Sequence, residues 1–515
     1  MKQHPAQYTT GRITLRSAFV MPIFITLLTG LIFSSCKKEL ENKLTNDTYA
    51  DTYWKNEGDV RGAVLGAYGL FRKSMNTNSA FFIWGDGPVG LFNSDESTNT
   101  TLVYTSGSFV VPYREDGAHN WTNWYRVVDI CNLIIENVNR MPDASFAAGT
   151  KNSYLGEAYF LRGLSYFYMT RVWGDLPLQL TATTSADQTQ YIGRTPAADI
   201  LKQIKADAQK ASALLTWESL NTNERRRASK ASAIALLAHA SAWGNDNAAT
   251  LLYTDSLISR ADLLSLQPKG SIRQVFKTTS APENIFVISA KDSENESSAW
   301  TGYVYTATVG FFTVSSDYIE NMPQRVPQYY PAPDKINTLY EAADTRKAEF
   351  FRLTFSVGAK PSFLKYADIV YKNPITKSEP RAESNLVVFR LADMILLKAE
   401  ALAGLNRDGE AQAAVNLIRT RAGVNGLSSS GFNLRKDIIL ERQRELIGEG
   451  QNYFDIVRNS AKLASGGDNF YSLMPWGSTM NGDRFAQKGY LWPIHNSILN
   501  ANRLISQNAW WMGKY

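Results

Sequence analysis

Helical periodicity through most of the chain, short turns between the periodic segments, and two long stretches where the rhythm fails predict a mainly α protein. The expected architecture is a tetratricopeptide-like scaffold of paired helices, interrupted by long loop-rich insertions that carry short strands. No strict repeat of about 34 residues recurs, so the array is read from helix pairing and from small residues where helices cross.

Residues 56–75 place Val60, Val64, Ala67 and Phe71 at steps of four, three and four, which is one buried helix face. Over 120–140 the stripe is Trp121, Trp124, Val128, Cys131 and Ile135. Both tryptophans are expected in the core, and Cys131 reads as a buried structural thiol. Tyr154 to Trp173 is aromatic on nearly every face, as suits a helix packed between neighbours. Further helices are expected over 196–215, 228–243, 249–265, 386–405, 409–422 and 433–448. The rhythm fails over 77–118, rich in Asn, Gly, Ser, Thr and aromatics. It fails again over 266–385, where the β-prone run 283–289 and the Pro-rich stretch 323–331 lie. Long loops on a rigid scaffold carry function, and the aromatic content of these two argues against disorder.

The chain opens with Lys2, Arg12 and Arg16 before the apolar run 18–33, followed by Ser34, Ser35 and Cys36. That order describes a secretory leader. The run of about 16 residues falls short of the ~20 of a spanning helix, and it contains Pro22 and Gly30. A cysteine directly after small residues resembles a bacterial lipobox, with Phe33 where Leu is usual. Residues 1–35 are therefore expected to be removed and Cys36 acylated, several acyl chains being enough for stable anchoring. Residues 36–53 are polar and read as a lipidated tether. Glu39 and Glu41 in it resemble surface-export signals of Gram-negative bacteria. With Cys36 acylated, Cys131 has no disulfide partner, and the fold must rest on its core. The net charge of +6 includes the three cations of the leader, and no basic run follows, which excludes a nucleic-acid binder.

Several motifs in chain order resemble the SusD/RagB family. They are Trp54 with Asp59-Val60 and Gly66-Ala67-Tyr68, then residues 156–162 running to 173–178, 230–238, and Asp344-Thr345-Arg346. Residues 389–401, 415–423 and 439–446, with Glu449-Gly450 and Asp455, complete the series. Each is weak alone; together, in order, they span the mature chain. Two departures lie near the end: His495 stands where a second proline is usual, and Trp510-Trp511 replaces a Gly-Tyr ending. The resemblance implies one domain over 54–515, its helical scaffold mainly in 54–265 and 386–450 and a loop-rich ligand region in 266–385. It also implies a lid on a SusC-like TonB-dependent transporter, at the surface of the outer membrane of a Gram-negative bacterium. Such a lid admits a glycan or, in some members, peptides, and makes no covalent change.

The residues themselves agree with a binder. A glycosidase needs two carboxylates about 5 Å or 6.5–9.5 Å apart across a cleft. Glu441, Glu445 and Glu449 instead share one helix face near Arg442, Arg444 and Arg458, and read as structural ion pairs. Asp393 with Glu400, and Glu157 with Arg162, read the same way. The mature histidines, His119, His239 and His495, are scattered, and no metal, phosphate-loop or nucleophile motif occurs, so no cofactor or catalytic residue is expected. The binding reading rests on loop aromatics beside amides and carboxylates. A sugar stacks its C–H face on a ring while Asn or Asp takes its hydroxyls. The expected ligand residues are Phe81, Trp84, Asn93 and Asp95 in the first loop, and Trp300, Tyr303 and Tyr305 in the second. For each aromatic, packing beneath its own loop stays open as the alternative. A peptide-binding lid is the second reading and a glycoside hydrolase a distant third.

Overall fold

The computed structural model describes residues 53–94, 106–111, 115–183, 191–294, 313–321, 329–480 and 482–515, with single positions at 103, 296, 298, 299 and 327. Residues 1–52, on which the expected leader, the Cys36 lipidation site and most of the expected tether fall, lie outside the described residues, as do Asp95, Trp300, Tyr303 and Tyr305.

A train of helices forms the scaffold: α1 (Glu57–Asn76), α3 (Thr122–Arg140), α4 (Thr150–Trp173), α5 (Ala197–Leu214), α6 (Lys230–Trp243) and α7 (Asn247–Ile258), then α10 (Leu391–Gly404), α11 (Asp408–Ala422) and α12 (Gly431–Leu446). Short α2 (Ala80–Gly85) lies in the first loop, and α8 (Pro333–Leu339) and α9 (Thr345–Phe350) in the second. Helix α13 (Asn452–Asn459) follows α12. Along the train α1 packs on α3, α3 on α4, α4 on α5, α5 on α6, α6 on α7, and α7 on α10, which meets α11 and α12. This is the helical-pair array that the periodicity predicts.

Local chemistry sets the helix ends. Asn56 caps α1 by accepting from Gly58 and Asp59 N–H, while Asp59 reaches back to Asn56 N–H. Helix α4 buries every residue from Tyr154 to Trp173 except Tyr159, as its all-round apolar sequence requires. Gly156 makes this possible, because a Cβ there would meet the Leu215 side chain at 2.6 Å. Trp121, Trp124 and Cys131 are all buried, and burial pushes the Cys131 thiol up to about 12.

Two boundaries differ from the periodic reading. Helix α7 ends at Ile258, short of 265, because Arg260 turns to grip Asp262 and the Leu263 carbonyl is taken by Arg225. Residues 386–390 are a strand, β9, and α10 starts only at Leu391. The Leu-Val-Val-Phe run of β9 pairs antiparallel with β2 (Asn284–Ile288), with Val287 opposite Val387. The other strands are short: β1 (Phe92–Ser94), β3 (Ser298–Ala299), β4 (Tyr329–Pro331), β5 (Phe351–Arg352), β6 (Ser362–Phe363), β7 (Ile369–Asn373) and β8 (Ser378–Ala382). They pair as β1–β4, β5–β6 and β3–β8–β7.

Candidate functional site

The two long loops meet. Strand β1 of the first pairs with β4 of the second, setting Phe92 opposite Pro331, Asn93 opposite Tyr330 and Ser94 opposite Tyr329. Strand alternation then sorts the side chains. Phe92 and Tyr329 turn inward, where Phe82 meets both rings at 4.9 and 5.6 Å and Phe363 meets Phe92 at 5.3 Å. Asn93 is exposed and Tyr330 half-buried, with Lys360 Nζ 4.6 Å from the Tyr330 ring centre. Beside this ribbon, Ser315 N–H donates to Ser362 Oγ at 2.9 Å and ties segment 313–318 to β6. Tyr318 in that segment is 38% exposed, Arg352 pairs with Asp317 while lying 5.5 Å from the Tyr318 ring, and Phe355, 46% exposed, precedes Ser356, whose N–H donates to Asp317. The outcome is an outward face of rings, an amide and paired charges.

Phe81 and Trp84 do not belong to it. Residues 80–85 are an apolar run, and as α2 all of them are buried. Trp84 packs on Trp173 at 5.4 Å and Trp124 at 6.1 Å and donates Nε1–H to the Ala118 carbonyl at 3.0 Å. Phe81 meets the edge of Tyr366 at 6.5 Å. Both rings are core, because a helix apolar on every side can satisfy itself only inside. Asn93 is the one expected residue of the first loop that the structure places on the face. Tyr330, Tyr318, Lys360, Arg352 and Phe355 escaped the sequence reading. The Tyr-Tyr pair inside a proline-bounded run was the available signal for Tyr330.

The face stands on a rigid base. Asp86, at the end of α2, accepts N–H bonds from Gly448 and Gly450 at 2.8 and 2.7 Å and from Asn452 Nδ2 at 3.0 Å. Burial pushes its carboxyl up to about 7 against the pull of those donors. A Cβ on Gly85 would lie 2.1 Å from the Gly450 carbonyl carbon, so glycine alone permits this contact. At the far end of the first loop, Phe109 stacks on Trp492 at 4.5 Å, with Tyr453, Trp476 and Trp511 within 5.8 Å. Buried His119 bridges the Phe109 carbonyl (2.7 Å) and the Tyr515 hydroxyl (2.9 Å).

Beneath lies a charged centre. Arg390 bonds Glu449 through Nε and Nη2, Glu283 and Glu445 through Nη1, and the Glu445 carbonyl through Nη2, all within 2.8 Å. Arg346 holds Asp344, Glu441 and Glu445, and Lys365 holds Glu449 at 2.7 Å. Burial alone would raise the Glu445 carboxyl, yet Arg421, Arg390 and Arg346 hold it well below the usual range. Adjacent to it, Arg442 joins Asp393 and Asp455, His239 meets Asp393 at 2.6 Å, and Arg458 clasps Glu400. Glu441, Glu445 and Glu449 are thus each paired and buried, as structural ion pairs should be. Glu157 and Arg162 share α4 but not each other: Glu157 takes Arg227, and Arg162 takes Asp207. Each of these carboxylates has an arginine or lysine within ion-pair distance. Among the described residues no group of His, Cys, Asp or Glu is placed to hold a metal ion.

Comparison with known proteins adds three findings. The model of the SusD family matches residues 359–511, and one described as starch-binding, associating with outer membrane, matches residues 91–240. A SusD-like protein of Formosa agariphila is 24% identical over 94% of this chain and 98% of its own, and the starch-binding protein SusD of Bacteroides thetaiotaomicron is 33% identical over 24% of this chain and 21% of its own. A crystal structure of a SusD superfamily protein from Bacteroides thetaiotaomicron superposes with a TM-score of 0.73, at 24% identity, over 89% of this chain and 99% of that one.

Proposed function

We propose that this chain, which belongs to the SusD family, is a glycan-binding lipoprotein of the outer membrane. It captures an oligo- or polysaccharide at the cell surface and passes it, as a lid, to a SusC-like TonB-dependent transporter. The observation that carries this reading is the β1–β4 pair, which joins two loops distant in sequence into one outward face. Asn93 and Tyr330 stand side by side there, an amide for hydroxyls next to a ring for a sugar's C–H face. Asp95, Trp300, Tyr303 and Tyr305, which lie outside the described residues, are proposed as further ligand contacts; Phe81 and Trp84 are not. A relative described as starch-binding and a family model described as associating with outer membrane support the same reading. Cys36 carries the anchor in it, and the domain starts at residue 54.

The reading separates from an enzyme because every carboxylate of the charged centre is committed to a cation. Titration of the chain against a polysaccharide panel and a set of short peptides tests it. Binding of a polysaccharide that Tyr330→Ala weakens, with no new reducing ends released, is the expected result. Binding of peptides alone transfers the face to a peptide-binding lid. Metabolic labelling with palmitate tests Cys36, and an unlabelled wild-type chain removes the anchor.

A further inference from the structure

The turn from α11 to α12 carries an Asn-Gly pair, Asn425-Gly426, and both residues are exposed. Left-handed Gly423 (φ 80°) ends α11, and Val424 N–H returns to the Arg419 carbonyl at 3.1 Å. Beyond the pair, Asn416 grips Leu427 twice, accepting its N–H at 2.7 Å and donating to its carbonyl at 3.2 Å. That clamp explains the glycine. A Cβ on Gly426 would lie 2.9 Å from Asn416 Nδ2 and 3.0 Å from its Cγ, and the two bonds to Leu427 keep Asn416 where it is.

Between these fixed ends the two groups that can react are free. Among the described residues, neither the Gly426 N–H nor the Asn425 side-chain amide has a hydrogen-bond partner. The Asn425 carbonyl, by contrast, is held by a cation: Arg419 Nε donates to it at 2.6 Å. The guanidinium cannot drift, since Nη1 pairs with buried Glu441 at 2.9 Å and Nη2 with Glu341 at 2.6 Å. An arginine keeps its charge at every pH the folded chain meets.

That carbonyl and the Gly426 N–H belong to one peptide unit. Its C–N bond has partial double-bond character, so charge drawn toward the oxygen loosens the proton on the nitrogen. A charge-assisted bond to the oxygen therefore stabilises the amide anion, which is the nucleophile that the Asn425 side chain meets. Glycine adds no side chain to hinder its approach.

We infer that Asn425-Gly426 is a self-modification site at which Arg419 both speeds ring closure and selects the product. Gly426 gives its amide proton to hydroxide, and its nitrogen bonds to Asn425 Cγ. The Cγ–Nδ2 bond breaks, and the amide nitrogen leaves as ammonia after taking a proton from water. A succinimide ring remains. Water then adds to one of its two carbonyls and breaks the bond from that carbon to the Gly426 nitrogen. Attack at Cγ gives an aspartyl chain. Attack at the former backbone carbonyl gives an isoaspartyl chain, which runs through Cγ and leaves the old carbonyl as a free carboxylate. Arg419 polarises this second carbonyl, and its product sets a carboxylate against the guanidinium where a neutral oxygen stood. The isoaspartyl form is the favoured one, and the turn gains one negative charge beside a cation of the charged centre.

The test warms the full-length chain in detergent in mildly alkaline buffer, with and without urea. Peptide mapping with electron-transfer fragmentation then separates aspartyl from isoaspartyl forms. In the folded chain Asn425 is expected to exchange NH2 for OH at least as fast as in urea, faster as pH rises, and with a larger isoaspartyl share. Arg419→Gln should slow the folded reaction about tenfold and return that share to its value in urea, while the reaction in urea stays the same. Thermal melting verifies that this variant folds, and the comparison of folded with unfolded wild type needs no variant. Asn425→Gln, at an exposed side chain, should melt like wild type and lose the signal at this position. An Asn425 that stays intact in the folded chain while it converts in urea overturns the site. Equal isoaspartyl shares in the two states overturn the role of Arg419.

Discussion

Arg390 and Asn93 mark two opposite treatments of a polar side chain in this fold. Arg390 is buried, and its guanidinium spends all five N–H groups on Glu283, Glu445 and Glu449. Asn93 is exposed on a three-residue strand opposite Tyr330. The two regions are nonetheless coupled. Phe363 packs under Phe92 of the face, and a Cβ on Gly448, at the edge of the charged centre, would sit 2.3 Å from its ring. The comparison teaches a division of labour: the centre holds the loops in place, and the face is free to carry whatever side chains a ligand asks for.

Breaking the centre should have the largest effect. Arg390→Met takes one cation from three buried carboxylates and leaves them only Arg346, Arg421 and Lys365, and removal of one partner from such a network costs about 3–5 kcal/mol. Chemical denaturation is expected to show that loss; a variant as stable as wild type would mean the centre does not bear the fold. Trp84→Ala comes next, with a loss of about 3–5 kcal/mol for an emptied aromatic site in the core. If it instead melts like wild type and loses only ligand, Trp84 belongs to the face after all.

His119 sharpens the contrast, because it is buried without charge. Burial draws its pKa down to about 3, against the raising effect of the Phe109 carbonyl. The unfolded chain takes that proton near pH ~6.5. Its contribution to stability is therefore present above that pH and lost as pH falls toward 3. Unfolding free energy measured from pH 7 to pH 4 should fall, and His119→Gln should flatten part of the slope. An identical slope in the variant assigns the acid loss elsewhere.

At the face the prediction reverses. Tyr330→Ala should weaken glycan binding by about 1–2 kcal/mol while stability moves by about 0.5 kcal/mol or less, and Asn93→Ala should do the same with a smaller binding loss. A large drop in melting temperature would make the ribbon part of the core. The smallest effect concerns Cys131, whose buried thiol is pushed up to about 12. Iodoacetamide at pH 8 should leave it unmodified in the folded chain and alkylate it after denaturation, as mass spectrometry would read directly.

The helix train and much of its core were legible from residue order, since spacing at three and four exposes which face is apolar before any fold is known. Val60, Val64, Ala67 and Phe71 are buried together on α1, and Trp124, Val128 and Cys131 on α3. That Glu441, Glu445 and Glu449 serve as ion pairs was also legible, although only Glu441 and Glu445 share the helix face expected of all three: α12 ends at Leu446, and Glu449 lies in the turn beyond it. Their partners were not: Arg346, Arg390 and Lys365 arrive from segments 55 to 99 residues away. Glu157 and Arg162, close in sequence, chose Arg227 and Asp207 instead. The site divides in the same way. An aromatic in a polar loop reads alike whether it faces solvent or core, and only the arrival of Trp124 and Trp173 decides that Trp84 is inside. Asn93 became part of a face only when β4 came to lie beside it. Periodicity is a property of one segment, so the sequence carries it by itself. Burial of a loop ring and the pairing of a charge depend on which distant segments close over it, and only the tertiary structure decides that.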